Sequence, residues 1–304
     1  MPDALCGLAK LRRRSLSAAI WAVSVIALAR AIGYKKGMAP VTPGLAAATG
    51  MQGHRSPHLS PAEIDDFFEI GWIVRPGLFR ADEVARMQTC FEELEKIAGG
   101  LFGTGLYRGA HFVLGEKQGR RVLRRIVWAG GCQPYLLAIG GDERLTVPCA
   151  QLLRSHAMDH LLNQAHFKRP RDGVAFDWHQ DIQHRDKGGG EWTDVNGSGS
   201  FVQTLIVLDE MTPDSGPLKF IPGSSKWGRV DFGDGAGDKP DAVTITAQPG
   251  DTLFFGPYTA HASFENTSDR YRRVLINGYA SPGANRRVYP GDGAGRRLFA
   301  PQTG

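Results

Sequence analysis

Short apolar segments separated by turn residues fill the second half of the chain. Residues 201–208 (FVQTLIVL) give the strongest strand prediction, because they are apolar and β-branched and end at Asp209-Glu210. Four further strands are predicted at residues 218–221, 243–246, 252–255 and 274–279. Pro249-Gly250-Asp251 predicts a hairpin turn between the third and fourth strands of this series. Short strands with no helix-sized segment between them predict an antiparallel β-sandwich or jelly roll.

Helical periodicity precedes this run of strands. Ser60-Pro61-Ala62-Glu63 supplies an N-cap, a proline at the first helical position and an acid in the first turn, so a helix is predicted to begin here and to end at Gly71. Residues 72–74 predict a short strand. A second helix opens at Asp82, with a predicted buried face of Val84, Met87, Phe91 and Leu94. Residues 148–162 also recur near helical period and predict a third helix, so the fold class is mainly β with flanking helices.

The N-terminal 58 residues differ from the rest of the chain. Arg12-Arg13-Arg14 precedes an apolar run at 16–29, which has the basic start and short hydrophobic core of a secretory signal and is too short to predict a stable membrane span. An over-long reading frame explains this segment equally well. Residues 1–58 are therefore predicted to be an N-terminal extension, and residues 59–304 a single domain.

Composition narrows the class of protein. A chain with 42% hydrophobic and 22% charged residues is typical of a globular protein rather than a disordered one. The net charge of +5 comes partly from arginines in the segment 120–125, for which a solvated face is the default interpretation and an anionic substrate the alternative. No motif that reads nucleic acid accompanies them, so a nucleic-acid partner is not predicted. The four cysteines form no C-x-x-C pair and predict reduced thiols in the cytoplasm, although the signal-like segment leaves export open.

Candidate chemistry centres on Trp178-His179-Gln180-Asp181. A histidine and an aspartate separated by one residue lie on the same side of an extended chain, which places an imidazole beside a carboxylate. His261 is the best candidate for a third ligand. Two histidines and one carboxylate form the facial triad of non-haem Fe(II) oxygenases, which leaves coordination positions open for a co-substrate and dioxygen.

With these residues the chain resembles the phytanoyl-CoA dioxygenase (PhyH) family of Fe(II)- and 2-oxoglutarate-dependent oxygenases, from about Leu59 to Tyr279. The features that match, in order, are Gly71-Trp72-Ile73-Val74, His179-Gln180-Asp181, Ser215-Gly216-Pro217-Leu218, Ile221-Pro222-Gly223-Ser224, Pro249-Gly250-Asp251, and His261-Ala262-Ser263 followed by Asn266 and Arg272. Some of these segments also look like the ectoine hydroxylase branch. The resemblance implies a double-stranded β-helix, a cupin-like jelly roll.

The resemblance also implies roles for individual residues. His179, Asp181 and His261 would hold Fe(II), and Arg272 would bind the distal carboxylate of 2-oxoglutarate through its planar guanidinium. Arg270 and Arg273 are the neighbouring alternatives, and strand alternation puts Arg270 on the same face as Arg272. Two weaker candidates for contacts with 2-oxoglutarate are Gln164 and Thr204, for which a purely structural role is an equal alternative. The candidates for contacts with the substrate are Trp178, His184 and Trp192.

The implied activity is hydroxylation of an unactivated C–H bond of a small molecule, with O2 consumed and with succinate and CO2 released. Asp181 favours hydroxylation over halogenation, because related halogenases lack this carboxylate. The alternatives are a non-catalytic metal-binding or sensor protein with the same jelly roll, and a cupin-type enzyme that does not use 2-oxoglutarate. Arg272 argues against the sensor, which needs no anchor for a co-substrate. Neither the substrate nor the oligomeric state can be read from the sequence.

Overall fold

The computed structural model describes residues 56–117, 119–185, 190–233, 237–289 and 291–301. The predicted N-terminal extension lies outside these ranges except for its last three residues. Across the described part of the chain, no helix is both long enough and apolar enough to span a bilayer.

The helices lie mainly in the first half. They are α1 Pro61–Ile70, α2 Ala81–Gly99, α3 Pro134–Ile139, α4 Glu143–Leu153 and α5 Ile182–Arg185, with 3-10 turns at Ala129–Gly131 and Ser224–Trp227. The predicted capping box at α1 is present, because the Ser60 hydroxyl accepts from the Glu63 amide and the Glu63 carboxylate accepts from the Ser60 amide. The helix ends at Gly71, whose φ of 104° favours glycine.

The strands follow in chain order from β1 to β13. They are β1 Trp72–Arg75, β2 Gly105–Tyr107, β3 Ala110–Lys117, β4 Arg120–Val127, β5 Ala157–Lys168, β6 Phe176–His179, β7 Phe201–Val207, β8 Lys219–Phe220, β9 Val243–Thr244, β10 Thr252–Phe255, β11 His261–Ser263, β12 Arg272–Ala280 and β13 Arg296–Phe299.

These strands form two antiparallel sheets. The major sheet has nine strands in the order β1-β10-β7-β12-β5-β4-β3-β2, with β13 paired to β5, and the minor sheet has four strands in the order β6-β11-β8-β9. All described pairings are antiparallel. The mainly β jelly roll with flanking helices, predicted from the sequence, is confirmed.

The two faces of the major sheet have different neighbours. On β7, Val202 and Ile206 belong to one large core cluster with the helical residues Met87, Phe91 and Leu94. The alternate residues Leu205 and Val207 belong to a second cluster, which contains Phe220 of the minor sheet and fills the space between the sheets. Period-two alternation therefore separates a helix-facing surface from an inner face that looks toward the minor sheet.

Two predicted elements are wrong. The helix predicted at 148–162 ends at Leu153, and Ala157–Lys168 is the long strand β5. This strand is largely buried on both faces, so its apolar run through Leu161-Leu162 lacks the alternation that identifies a half-exposed strand. The hairpin predicted across Pro249-Gly250-Asp251 does not form either, because β9 pairs with β8 in the minor sheet whereas β10 pairs with β1 and β7 in the major sheet.

Phenylalanines at two positions provide a test of the helix-facing core. Phe91 is fully buried and packs against Phe167 of β5 at 5.0 Å between ring centroids, whereas Phe102 is fully exposed. Phe91→Ala is expected to lower the free energy of unfolding by about 3–5 kcal/mol, because it leaves a cavity where the helix meets the sheet. Phe102→Ala is expected to change it by less than about 0.5 kcal/mol. Urea denaturation measures both, and equal effects would contradict this placement of α2.

Candidate metal centre

The minor sheet brings the two candidate histidines together. His179 at the end of β6 and His261 at the start of β11 are directly paired across the strands, and their ring centroids lie 4.2 Å apart. Asp181 follows β6 immediately before α5. Its Oδ1 is 3.9 Å from His179 Nε2 and its Oδ2 is 4.0 Å from His261 Nε2. All three candidate ligand atoms lie within 4.8 Å of one another.

Backbone carbonyls fix the orientation of both imidazoles. His179 Nδ1 lies 2.6 Å from the Asp177 carbonyl, and His261 Nδ1 lies 2.9 Å from the Thr259 carbonyl. Each carbonyl accepts from a protonated Nδ1, which leaves Nε2 of each ring directed toward Asp181. Ligand histidines in metal sites are held in this way.

The burial of Asp181 leaves one oxygen without a partner. Oδ2 is inaccessible to solvent and accepts no hydrogen bond from the described residues, which is costly for a carboxylate unless a cation lies beside it. Burial opposes ionisation of Asp181, but His261, His179, Arg185 and His184 outweigh it and hold its pKa below the ordinary value. Burial, together with His179, lowers the pKa of His261 to about 4. An anionic carboxylate beside a neutral imidazole at neutral pH is the donor set that a divalent metal requires.

The three candidate ligands differ in their exposure to solvent. The side chain of His179 is 21% exposed, whereas those of His261 and Asp181 are 5% and 9% exposed. Phe220 and Phe255 pack against the His261 ring from the core between the sheets. A metal held by these three residues would therefore be covered by protein on the His261 side and accessible from the His179 side, which suits a facial triad with free positions.

Arg272 lies on the inner face at the start of β12 and is 2% exposed. Its Nε and Nη2 donate to the Gly216 carbonyl at 3.2 and 2.6 Å. Burial lowers its pKa to about 10, so the guanidinium stays charged at neutral pH. Gly216 has a φ of 70°, and a Cβ on it would lie 2.4 Å from the Phe264 carbonyl. Glycine is therefore required where the chain approaches this arginine.

Lys168 lies directly opposite Arg272 on β5 and was not identified from the sequence. Its Nζ donates to the Gly216 carbonyl at 3.2 Å and to the Ser263 carbonyl and hydroxyl, both at 2.9 Å. Burial and the charge of Arg272 lower its pKa to about 5. Lysine at the end of an apolar strand gives no signal in a single sequence, because only the pairing of β5 with β12 places it beside Arg272.

The two weaker 2-oxoglutarate candidates are placed differently. Gln164 lies on the inner face of β5, two residues before His166, and its Oε1 is 2.8 Å from His166 Nε2. Thr204 is paired with Asn277, and the alternation of β7 turns it toward the helices with Val202 and Ile206. Its hydroxyl donates to the Asn277 carbonyl at 3.4 Å. This position argues against the predicted contact between Thr204 and 2-oxoglutarate.

The three substrate candidates are also separated. The ring centroid of His184 lies 5.3 Å from that of His179, so it borders the triad. Trp178 alternates with His179 and packs with Ala260 and Ala262 on the other face of the minor sheet, and its indole N–H donates to the Gly237 carbonyl. Trp192 packs against Phe201 and donates to the Gly199 carbonyl. Both tryptophans are buried in apolar clusters, which argues against their predicted contact with the substrate. Residues 186–189, between His184 and Trp192, lie outside the described ranges.

The jelly roll carries a His-Asp-His group with the composition of a facial triad. A model of the phytanoyl-CoA dioxygenase family matches residues 67–274, and the chain belongs to this family. The predicted resemblance is confirmed. The clustering of three candidate ligands suited to iron agrees with membership of this family.

Curated relatives are similar over part of their length. L-proline trans-4-hydroxylase of Streptomyces griseoviridis is 28% identical over 184 residues, which cover 47% of this chain and 66% of the hydroxylase. Ectoine dioxygenase of Sphingopyxis alaskensis is 28% identical over 170 residues, which cover 55% of this chain and 50% of that protein. The chain therefore spans about half to two thirds of the length of these relatives.

Solved structures share the fold. EctD of S. alaskensis, crystallised with 2-oxoglutarate and 5-hydroxyectoine, superimposes with a TM-score of 0.58 at 21% identity, covering 77% of this chain and 80% of EctD. The epimerase SnoN from nogalamycin biosynthesis, in complex with Fe3+, alpha-ketoglutarate and nogalamycin RO, gives 0.57 at 20% identity, with 81% and 97% covered. Both neighbours were therefore crystallised with iron or 2-oxoglutarate in a fold of this kind.

The unpartnered oxygen of Asp181 generates a prediction about the metal. Asp181→Asn removes the charge while keeping the shape of the side chain. It is expected to weaken Fe(II) binding by at least about a hundredfold, because loss of a group that only orients a metal ligand already costs up to about a hundredfold. Anaerobic calorimetry measures the affinity. Asp177→Asn is the matched control, because Asp177 is exposed and only its backbone carbonyl contacts His179. An equal loss in both variants would contradict the assignment of Asp181.

Proposed function

We propose that this protein is an Fe(II)- and 2-oxoglutarate-dependent dioxygenase that hydroxylates an unactivated C–H bond of a small molecule. The observation that carries the proposal is the pairing of a one-sided His-Asp-His group with a buried arginine on the facing sheet. A metal site alone fits many functions. Among the described residues the buried guanidinium of Arg272 donates only to a carbonyl, and such a group fits a carboxylate-bearing co-substrate.

In this proposal each residue has a defined task. His179, Asp181 and His261 hold Fe(II), with both imidazoles oriented by the carbonyls of Asp177 and Thr259. Fe(II) with 2-oxoglutarate and dioxygen supplies the oxidising power for hydroxylation, with release of succinate and CO2. The core between the sheets keeps water from the His261 side of the site.

Arg272 and Lys168 would bind the distal carboxylate of 2-oxoglutarate. Both now donate to the Gly216 carbonyl, so a carboxylate arriving there finds convergent donors. An incoming anion raises the pKa of Lys168 and favours its protonated form, which strengthens the contact. Gln164, on the same inner face, is a further candidate for the co-substrate, and His184, beside His179, for the substrate.

The relatives suggest the size and polarity of the substrate. One is named a hydroxylase of L-proline and another a dioxygenase of ectoine, both small polar molecules. We propose that this chain also acts on a small molecule. We also propose the cytoplasm as its location, since Cys90, Cys132 and Cys149 are free thiols.

Arg272 distinguishes the proposed enzyme from a metal-binding protein that does not use 2-oxoglutarate. Anaerobic addition of Fe(II) and 2-oxoglutarate is expected to produce the visible charge-transfer band of a chelated keto acid. Arg272→Leu is expected to raise the 2-oxoglutarate concentration needed for half of the band by at least about tenfold, because a charged hydrogen-bonded pair is lost.

Arg270→Leu is the matched control. Arg270 lies two residues away but is exposed and pairs with Glu210, so the band should titrate as in the wild type. Admission of oxygen should then yield succinate. A band without succinate would favour the sensor, and no band in folded, iron-loaded wild type would overturn the proposal.

A further inference from the structure

Two arginines that neither the metal nor the proposed co-substrate contact requires interact electrostatically with Asp181. They are Arg125 on β4 and Arg185 at the end of α5. Burial and the neighbouring Arg124 lower the pKa of Arg125, while Asp181 and Arg185 also act on it. The charges of Arg125, Arg185 and Asp181 are therefore close enough to influence one another.

Strand pairing turns Arg125 into the space between the sheets. It is directly paired with His166 of β5, and paired residues in adjacent strands lie on the same face. The His166 ring stacks on Phe176 of β6 at 5.2 Å, so this face looks toward the minor sheet and the triad. Arg124, the preceding residue, lies at a register shift between β3 and β4 and is exposed. Nε of Arg125 is buried and donates to no partner among the described residues.

Arg185 is the second arginine whose charge acts on Asp181. It lies four residues after Asp181, one helical turn on, and it is 6% exposed. Its guanidinium lies over the rings of Phe201 and Tyr289 at 5.1 and 5.5 Å, and Nη1 donates to the Tyr289 hydroxyl. These contacts hold the group in place but supply no negative charge. Its Nε is buried and lacks a partner among the described residues.

The charge balance of the site calls for another anion. Within the described ranges, no carboxylate forms an ion pair with Arg125 or Arg185. Asp181 is shared with both histidines and would be neutralised by Fe(II). The dianion 2-oxoglutarate would be matched by the metal and Arg272. Buried guanidinium groups are rarely left without a counter-ion, because desolvation of an uncompensated charge is costly.

We propose that Arg125 and Arg185 together bind a carboxylate of the substrate and thereby hold it beside the open, His179 side of the triad. This inference rests on the proposed function, because it assigns the substrate class of the same site. A carboxylate matches the planar guanidinium and can bridge Nε and Nη of each arginine. The substrate class is then small organic acids whose oxidised carbon lies a few bonds from the carboxylate.

The test uses benzoate as the probe and benzamide as its uncharged counterpart. Each is titrated by calorimetry into the anaerobic protein saturated with Fe(II) and 2-oxoglutarate. Wild type is expected to bind benzoate in the millimolar range or better and benzamide at least about tenfold more weakly, since one charged hydrogen-bonded pair is worth that much. Arg125→Gln and Arg185→Gln are each expected to weaken benzoate binding by at least about tenfold.

Arg124→Gln is the matched control, because it removes an exposed arginine from the same strand and should leave benzoate binding unchanged. If Arg185→Gln fails to fold, Arg185→Lys replaces it in the test. This variant keeps the positive charge and is expected to retain part of the affinity for benzoate. Neither Arg125→Gln nor Arg185→Gln should change the affinity for 2-oxoglutarate.

Three results would overturn the proposal. They are no benzoate binding by wild type, equal binding of benzamide, and a loss of 2-oxoglutarate affinity in Arg125→Gln as large as the loss for benzoate, which would assign this arginine to the co-substrate. Failure of the proposed function looks different. In that case the keto-acid band is absent from wild type, while benzoate binding that depends on Arg125 and Arg185 persists in the metal-free protein.

Discussion

The buried carboxylate of Asp181 is the constraint on which the site depends. One of its oxygens is inaccessible to solvent and accepts no hydrogen bond from the described residues, so the folded chain must surround it with positive charge or with a metal. Two imidazoles approach it through the pairing of β6 with β11, which sets His179 opposite His261. The register of a short strand pair thus determines whether three ligands converge, because a slip by one residue would turn a histidine to the other face.

The major sheet supplies the rest of the site through alternation. Along β5, Gln164, His166 and Lys168 share the inner face, while Phe167 between them packs on Phe91 of α2. The same period on β12 places Arg272 inward, opposite Lys168. The helices therefore do more than cover an apolar surface. By burying the alternate residues, they fix which polar side chains face the metal ligands.

The sequence was sufficient wherever local chemistry decides the outcome. The capping box at Ser60 and the His179-x-Asp181 pair each depend on a few neighbouring residues, and both appear as predicted. It was insufficient where long-range pairing decides. Lys168 gained its significance only from a partner more than a hundred residues away, and Thr204 was read correctly as a strand residue while its face remained undetermined. Periodicity gives the alternation of a strand, but the identity of each face comes from what packs against it.

The positive charge around the triad couples the binding of metal, co-substrate and substrate. Arg185 already stabilises ionised Asp181 without a metal, so Fe(II) enters a site in which a neighbouring cation repels it. Each anion that binds nearby reduces that repulsion. By linkage, an anion that improves metal binding is itself bound more tightly when the metal is present. The arginines that would select an anionic substrate therefore also favour the binding of metal, co-substrate and substrate together over the binding of the metal alone.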